Sequence, residues 1–287
     1  VVETKYGDLL RTLKYVKGRG GANAKELVFV GGDQIQGFNL NFIVGVYDQT
    51  GDWAPDMGAH IHPFDECLLF FSYSDEDMND LGADMSLAMG KEYETHKFSV
   101  PMVAAAPANV PHCPLVTEKV YKPFGHFHLA LSPKYSGTGV KQEGTTNGKK
   151  YNYLFKKFPI KKGPGGANAV QQVSVGGKDL SGIPINFTMG LYNKTGEWYP
   201  GKGAQIHSYD EVMVFFGHKT DDLSYLGAEI TIAIGKEQEK HTFNVPTVVA
   251  LPKGTLHFPI ACNKVERPYS VMQVGLSAKY NCAWVKG

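Results

Sequence analysis

The sequence predicts an all-β protein made of two tandem β-barrel domains. Three observations carry that reading: an internal repeat across nearly the whole chain, apolar runs of strand length separated by turn residues, and little helical periodicity.

The repeat is the strongest of these. A single shift of 145 positions pairs His62 with His207, Glu66 with Glu211 and His112 with His257. It runs without a gap from Lys5 with Lys150 to Tyr135 with Tyr280, and roughly four residues in ten are identical across it. Matched blocks include GGANA at Gly20 and Gly165, TG-acid-W at Thr50 and Thr195, GKE at Gly90 and Gly235, and SxKY at Ser132 and Ser277. Duplication is the simplest cause. The stretch SGTGVKQEGTTNGKK from Ser136 is poor in apolar residues and reads as a surface linker. The expected division is therefore 1–138, a linker over 139–149, and 150–287.

Strands come next. NFIVGVY from Asn41 and ECLLFF from Glu66 are of strand length and rich in branched and aromatic side chains. Gly90-Lys91 and Gly235-Lys236 fit tight hairpin turns. Only Tyr6 to Val16 offers a weak helical spacing. Each half should be a small barrel or sandwich.

Composition limits the partners. The 287 residues suffice for two domains, each with its own core. With 29 basic and 28 acidic side chains the net charge is +1 and no long block of one sign occurs, which argues against a nucleic-acid or membrane-surface partner. No apolar run reaches membrane-spanning length and no secretion signal is visible, so the chain reads as soluble and cytoplasmic; numbering begins at Val1, which leaves a removed leader open. Four cysteines, Cys67, Cys113, Cys262 and Cys282, are too few for a disulfide framework and read as reduced thiols. Tripeptides at Asn186 and Asn193 fit a glycosylation pattern but lack an export signal to support them. Phosphate loops, Cys-x-x-Cys pairs and nucleophile elbows are missing, so dinucleotide, iron–sulfur and classical hydrolase chemistry find no support.

The histidines point elsewhere. In GAHIHPFDE, His60 and His62 stand two apart, so on an extended strand both rings leave one face and can share an ion. Glu66 follows a Pro-containing stretch able to return its carboxylate to the same interior, and His112 follows a stiff turn at Pro107 and Pro111. Imidazoles with one carboxylate suit iron, manganese, zinc, nickel or cobalt, with positions left for water or substrate.

These segments resemble the cupin superfamily in its two-domain, bicupin form. The stretch around His60, His62 and Glu66 is similar to the first cupin motif, and Pro107 to His112 is similar to the second. The resemblance covers nearly the whole chain in duplicate and implies two tandem double-stranded β-helix (jelly-roll) barrels. It also implies that His60, His62, Glu66 and His112 are metal ligands of a first site. In the second half GAQIHSYDE departs from the pattern: Gln205 stands where a histidine is usual, beside His207, Glu211 and His257. An amide oxygen is a weaker ligand than imidazole, so a second site should bind borderline metals less well, although phosphomannose isomerases resemble this pattern. The readings for the second half are an occupied site or an inactive scaffold.

Further residues have two readings each. His126 and His128 share a strand face and become Val271 and Gln273 in the repeat; they either meet substrate or shuttle protons beside the metal, or stand at a barrel rim or domain contact. His96 and His241 recur in both halves and read as structural. Cys67 and Cys113 each follow a ligand candidate, so alternation should turn them away from the ion.

By resemblance, the leading expectation is a metal-dependent enzyme, an iron or manganese dioxygenase acting on a small organic molecule inside the N-terminal barrel. A redox-neutral isomerase or decarboxylase with manganese or zinc is the second, and a non-catalytic ligand-binding or structural bicupin the third. Association through outer sheets is common among cupins, so a homo-oligomer is compatible with the resemblance.

Overall fold

The computed structural model describes residues 4–17, 23–56, 58–141, 143–144, 149–162 and 168–286. Parts of both GGANA blocks and of the linker over 139–149 lie outside these residues.

Two compact units form, each a pair of antiparallel sheets. One comprises Tyr15–Phe158 with Lys178–Ile183 and is called the first unit here; the other comprises Val1–Lys14, Pro159–Gly177 and Pro184–Gly287 and is the second. In the first unit Glu66–Ser72 and Phe124–Ala130 are central strands of a six-stranded sheet, flanked by Asn41–Tyr47 on one side and Met102–Ala106 on the other. The facing sheet carries His60–Ile61, His112–Val120, Ala83–Met89 and Glu94–Phe98 in neighbouring places. The second unit repeats this plan around Glu211–Gly217, Tyr269–Gly275 and Asn186–Tyr192. Every residue of Glu66–Ser72 and of Glu211–Gly217 is buried, which is why these segments read as continuous apolar runs without alternation.

The strand at the start of each repeat lies elsewhere than a division near residue 138 anticipates. Leu10–Thr12 joins the second unit, with Leu10 opposite Val249, and Phe155–Lys157 joins the first, with Phe155 opposite Ala104. Tyr6 to Val16 is accordingly not a helix: a single 3-10 turn, Gly7–Leu9, leads into that strand, because its backbone donors and acceptors complete a sheet edge.

The repeated GKE blocks hold these strands in place. Glu94 accepts the backbone N–H groups of Lys150 and Tyr151 at 2.9 and 3.0 Å, and Glu92 receives the Lys150 ammonium and the Tyr151 hydroxyl. Glu239 and Glu237 do the same for Lys5 and Tyr6. Gly90 and Gly235 end the preceding strands in the left-handed region, φ +79°, and a Cβ there would strike the rings of Tyr151 and Tyr6. Glu94 is 1 % exposed whereas Glu239 is 24 % exposed. Glu94→Ala should therefore leave two part-buried amide donors without their acceptor and lower the stability of the first unit by about 1–3 kcal/mol in urea unfolding, with Glu239→Ala costing less.

Several smaller expectations meet the structure here. The four cysteines are free thiols. Asn186 is buried, and its side-chain amide donates to the Ser277 carbonyl at 2.8 Å, so it serves the fold rather than a surface modification. His96 stacks on Phe155 at 4.0 Å and lies beside Glu94. Among the described residues no helix is long and apolar enough to cross a membrane.

Candidate metal centre

The site of the first unit follows from sheet alternation. Glu66 opposes Ala130, Leu68 opposes His128, and Phe70 opposes His126, so these six share the inward face of one sheet. Ile43 opposes His128 on the other side and joins them. From the facing sheet, His60 and His112 are register partners, and His62 follows His60 directly after its short strand. Side chains from the 60–66 segment and from His112, far along the chain, thus enter one interior.

His60, His62 and His112 converge closely: one nitrogen from each lies within 4.8 Å of the others. Each ring is oriented by a backbone carbonyl at its Nδ1: Gly58 for His60 at 3.1 Å, Ser136 for His62 at 2.6 Å, Val110 for His112 at 3.1 Å. An N–H donated there leaves the Nε2 lone pair for the centre, the usual outer arrangement of a ligating histidine. Glu66 Oε2 stands 3.0 Å from His62 Nε2, while Oε1 stands 2.8 Å from His128 Nε2 and 3.8 Å from His112 Nε2.

Proximity and hydrogen bonding part company at one contact. Although His62 Nε2 and Glu66 Oε2 are 3.0 Å apart, both lack a hydrogen bond, as does His112 Nε2, and all three atoms are buried. Unsatisfied buried acceptors are costly, and a cation shared among them removes that cost. The set of three imidazoles and one carboxylate oxygen therefore fits a divalent transition metal.

Charge in the site is set by burial and by neighbours. Burial holds the His112 imidazole down to about 4 and that of His126 to about 3, and it lowers His60 as well. For His62, burial pulls the same way but the Glu66 carboxylate outweighs it and the group is raised. Burial alone would raise Glu66; the imidazoles of His128, His112 and His62 hold it well below the usual carboxylate range. The result is an ionised carboxylate beside His60 and His112, whose protonation burial disfavours, and His62, whose protonation the carboxylate favours.

Beside this cluster lies a cavity of about 380 Å³. His60, Glu66, His112, His128 and Tyr135 form its polar end, and Ile43, Tyr47, Trp53, Leu68 and Leu115 its apolar wall. His126 also lines it, packed edge-on against Trp53 at 4.9 Å. Both His126 and His128 are thus inside the barrel rather than at its rim.

One expectation from alternation fails. Cys67 is buried away from the cavity, but Cys113 lines it. The ladder to Ala83–Met89 slips between His112 and Leu115, and Cys113 takes φ +74°, so the extra residue re-aims the side chain. Sequence reasoning also passed over Tyr135, which packs against His62 and His128 at 5.0 and 5.5 Å. Its signal was present, since SxKY recurs with Tyr280 beside His207.

In the second unit the mutually close group is His207, Glu211 and His257. Carbonyls of Asn281 and Thr255 orient the two rings at 2.6 and 3.1 Å, and Glu211 Oε2 lies 3.5 and 3.3 Å from their Nε2 atoms. These three atoms are buried without hydrogen bonds, so this group can also hold a divalent ion. Gln205 opposes His257 in the register, and its amide nitrogen donates to the Tyr280 hydroxyl at 2.6 Å. Electrostatically the two carboxylates are opposites. Burial pushes Glu211 up to about 8, and Gln273 stands in the repeat position of His128, so that imidazole is not there to oppose it.

No protein-family description matches the sequence, and no curated protein matches it. Solved structures do. Oxalate decarboxylase of Bacillus subtilis superposes with a TM-score of 0.63 at 8% identity, covering 96% of this chain and 79% of that one. AerE from Microcystis aeruginosa superposes with a TM-score of 0.55 at 13% identity, covering 94% and 99%. At such identities the likeness concerns fold, and together with the duplicated sheets it establishes that this chain has an all-β, two-barrel fold of the cupin type, with two side-chain groups able to hold divalent metal ions.

Proposed function

We propose that the first unit is a metal-dependent enzyme of dioxygenase type, acting on a small organic molecule held in its cavity, with His60, His62, His112 and Glu66 as ligands of iron or manganese. One observation carries the reading: a buried histidine trio opens onto a cavity whose wall is apolar and whose lining, among the described residues, includes no lysine or arginine. Apart from His126 beside Trp53, the ionisable groups a substrate meets there are the proposed ligands with His128 and Tyr135, which suits a largely apolar body with an oxygen-bearing group at the metal. The bound ion would supply Lewis acidity and a place for oxygen. The chain's own residues do the rest: Glu66 and His128 hold a proton position at 2.8 Å, Tyr135 covers the polar end, and Tyr47 and Trp53 keep water from the far end.

A redox-neutral isomerase or decarboxylase with manganese or zinc is the second reading. The Glu66–His128 contact favours it, since an imidazole–carboxylate pair can move a proton without an oxidant. The fold is also shared with an oxalate decarboxylase whose Mn(II) centres are described. The bare apolar wall weighs against a dicarboxylate, because a second negative charge would be desolvated without a cationic partner.

Elemental analysis of protein purified without added ions, followed by oxygen uptake on a panel of phenols and small carbonyl acids, tests the proposal. Iron or manganese with substrate-dependent oxygen uptake, lost in His60→Ala, is the expected result. Turnover without oxygen uptake would select the second reading, and absence of stoichiometric metal would remove both.

A further inference from the structure

The two units share a scaffold, and at three of the positions where they differ around the cluster a small residue of the first is matched by an aromatic one of the second. Ala54, Cys113 and Gly139 of the first repeat correspond to Tyr199, Phe258 and Trp284 of the second. Ala54 and Cys113 line the first cavity. Gly139 is exposed, sits opposite His60 in the sheet register, and a Cβ added there would meet nothing within 4 Å.

At the corresponding places the second unit has aromatic rings in mutual contact. Tyr199 and Phe258 have ring centroids 5.7 Å apart, Tyr199 and Trp284 5.3 Å, and Phe258 and Trp284 5.7 Å. Trp284 opposes Gln205 just as Gly139 opposes His60. Phe258 is fully buried, and Tyr199 and Trp284 pack on a core that includes Met213, Ile260 and Val271. Two of those residues replace cavity-lining groups of the first unit: Met213 stands for Leu68 and Val271 for His126.

We infer that the cluster His207, Glu211 and His257 is a closed site, admitting a metal ion and no organic ligand, because Tyr199, Phe258 and Trp284 seal it. By the same geometry Ala54, Cys113 and Gly139 are the positions that decide the size of ligand entering the first unit. Closed coordination belongs to structural metal sites, and an open position to reactive ones. The inference rests on the proposed function for metal occupancy of the first cluster.

The test uses 4-nitrocatechol, a coloured bidentate ligand whose absorption changes on metal binding, titrated into the full metal-loaded chain. One equivalent should bind. Cys113→Phe and Gly139→Trp, which copy residues the duplicate scaffold already carries, should each weaken binding about tenfold or more while bound metal stays constant by elemental analysis. Phe258→Cys combined with Trp284→Gly should add a second equivalent wherever the second cluster holds metal. If that double variant does not fold, the two first-unit variants still decide. Two equivalents on the wild-type chain, no binding to the metal-loaded chain, or binding within about twofold in both first-unit variants overturns the inference alone. A chain that holds no metal overturns the proposed function, and this inference with it.

Discussion

His112→Ala is expected to remove one equivalent of bound metal and to lower turnover at least about a thousandfold, because the ion is asked to supply several kcal/mol of charge stabilisation. The cause is local. His112 is buried, its ring is set by the Val110 carbonyl, and it closes the trio from the strand opposite His60. Truncation leaves Glu66 and the other two imidazoles as an incomplete donor set. Elemental analysis and initial rates on the same preparation check both halves of the result. Full metal content in His112→Ala would show that the trio is not the ligand set. His257→Ala should remove the other equivalent where the second cluster is loaded, which separates the sites by counting.

The second large effect is one of pH on metal-free protein. Glu211 is raised from 4.5 to about 8 by burial, so the folded state holds its proton through a range where the unfolded state has lost it. Stability from this group is fully present below pH 4.5 and falls as pH rises through about 8. Depressed histidines work in the opposite sense. His112 at about 4, and His126 and His257 at about 3, make stability grow with pH only until their unfolded value of 6.5 is passed. Glu66, held low, contributes stability that is lost only in acid. Between pH 6.5 and 8 the Glu211 slope adds to that of His62, which the Glu66 carboxylate raises and which loses stability in the same direction, and Glu211 alone should cost metal-free protein about 2 kcal/mol across it. Urea unfolding at both pH values measures this, with Glu211→Gln as control. An unchanged slope in that variant would show that Glu211 is not the source. Bound metal should abolish the slope, because the ion replaces the proton, and binding at pH 7 should release a proton from the second unit.

Much of this was legible in residues alone. Strands at Asn41–Tyr47 and Glu66–Ser72 follow from local composition, and the pairing of His60 with His62 on one face follows from the two-residue period of an extended chain. The 145-residue shift made the duplicate site visible, including its Gln205. What escaped has a common feature. Leu10–Thr12 and Phe155–Lys157 have weak local signals, and only the sheet edges they meet, far along the chain, make them strands. Cys113 was misplaced because alternation assumes an unbroken ladder, and the slip after His112 is a property of two strands together.

By itself, then, the amino-acid order determined the all-β class, the duplication and the residue types gathered for a metal, since periodicity and side-chain chemistry are local properties. Tertiary structure alone decided that Glu66 divides its oxygens between His62 and His128, that the first cluster borders a cavity of about 380 Å³, and that Tyr199, Phe258 and Trp284 pack on one another in the second unit. These depend on which atoms from distant segments occupy the same few ångströms, and packing is a relation among residues that no single segment contains.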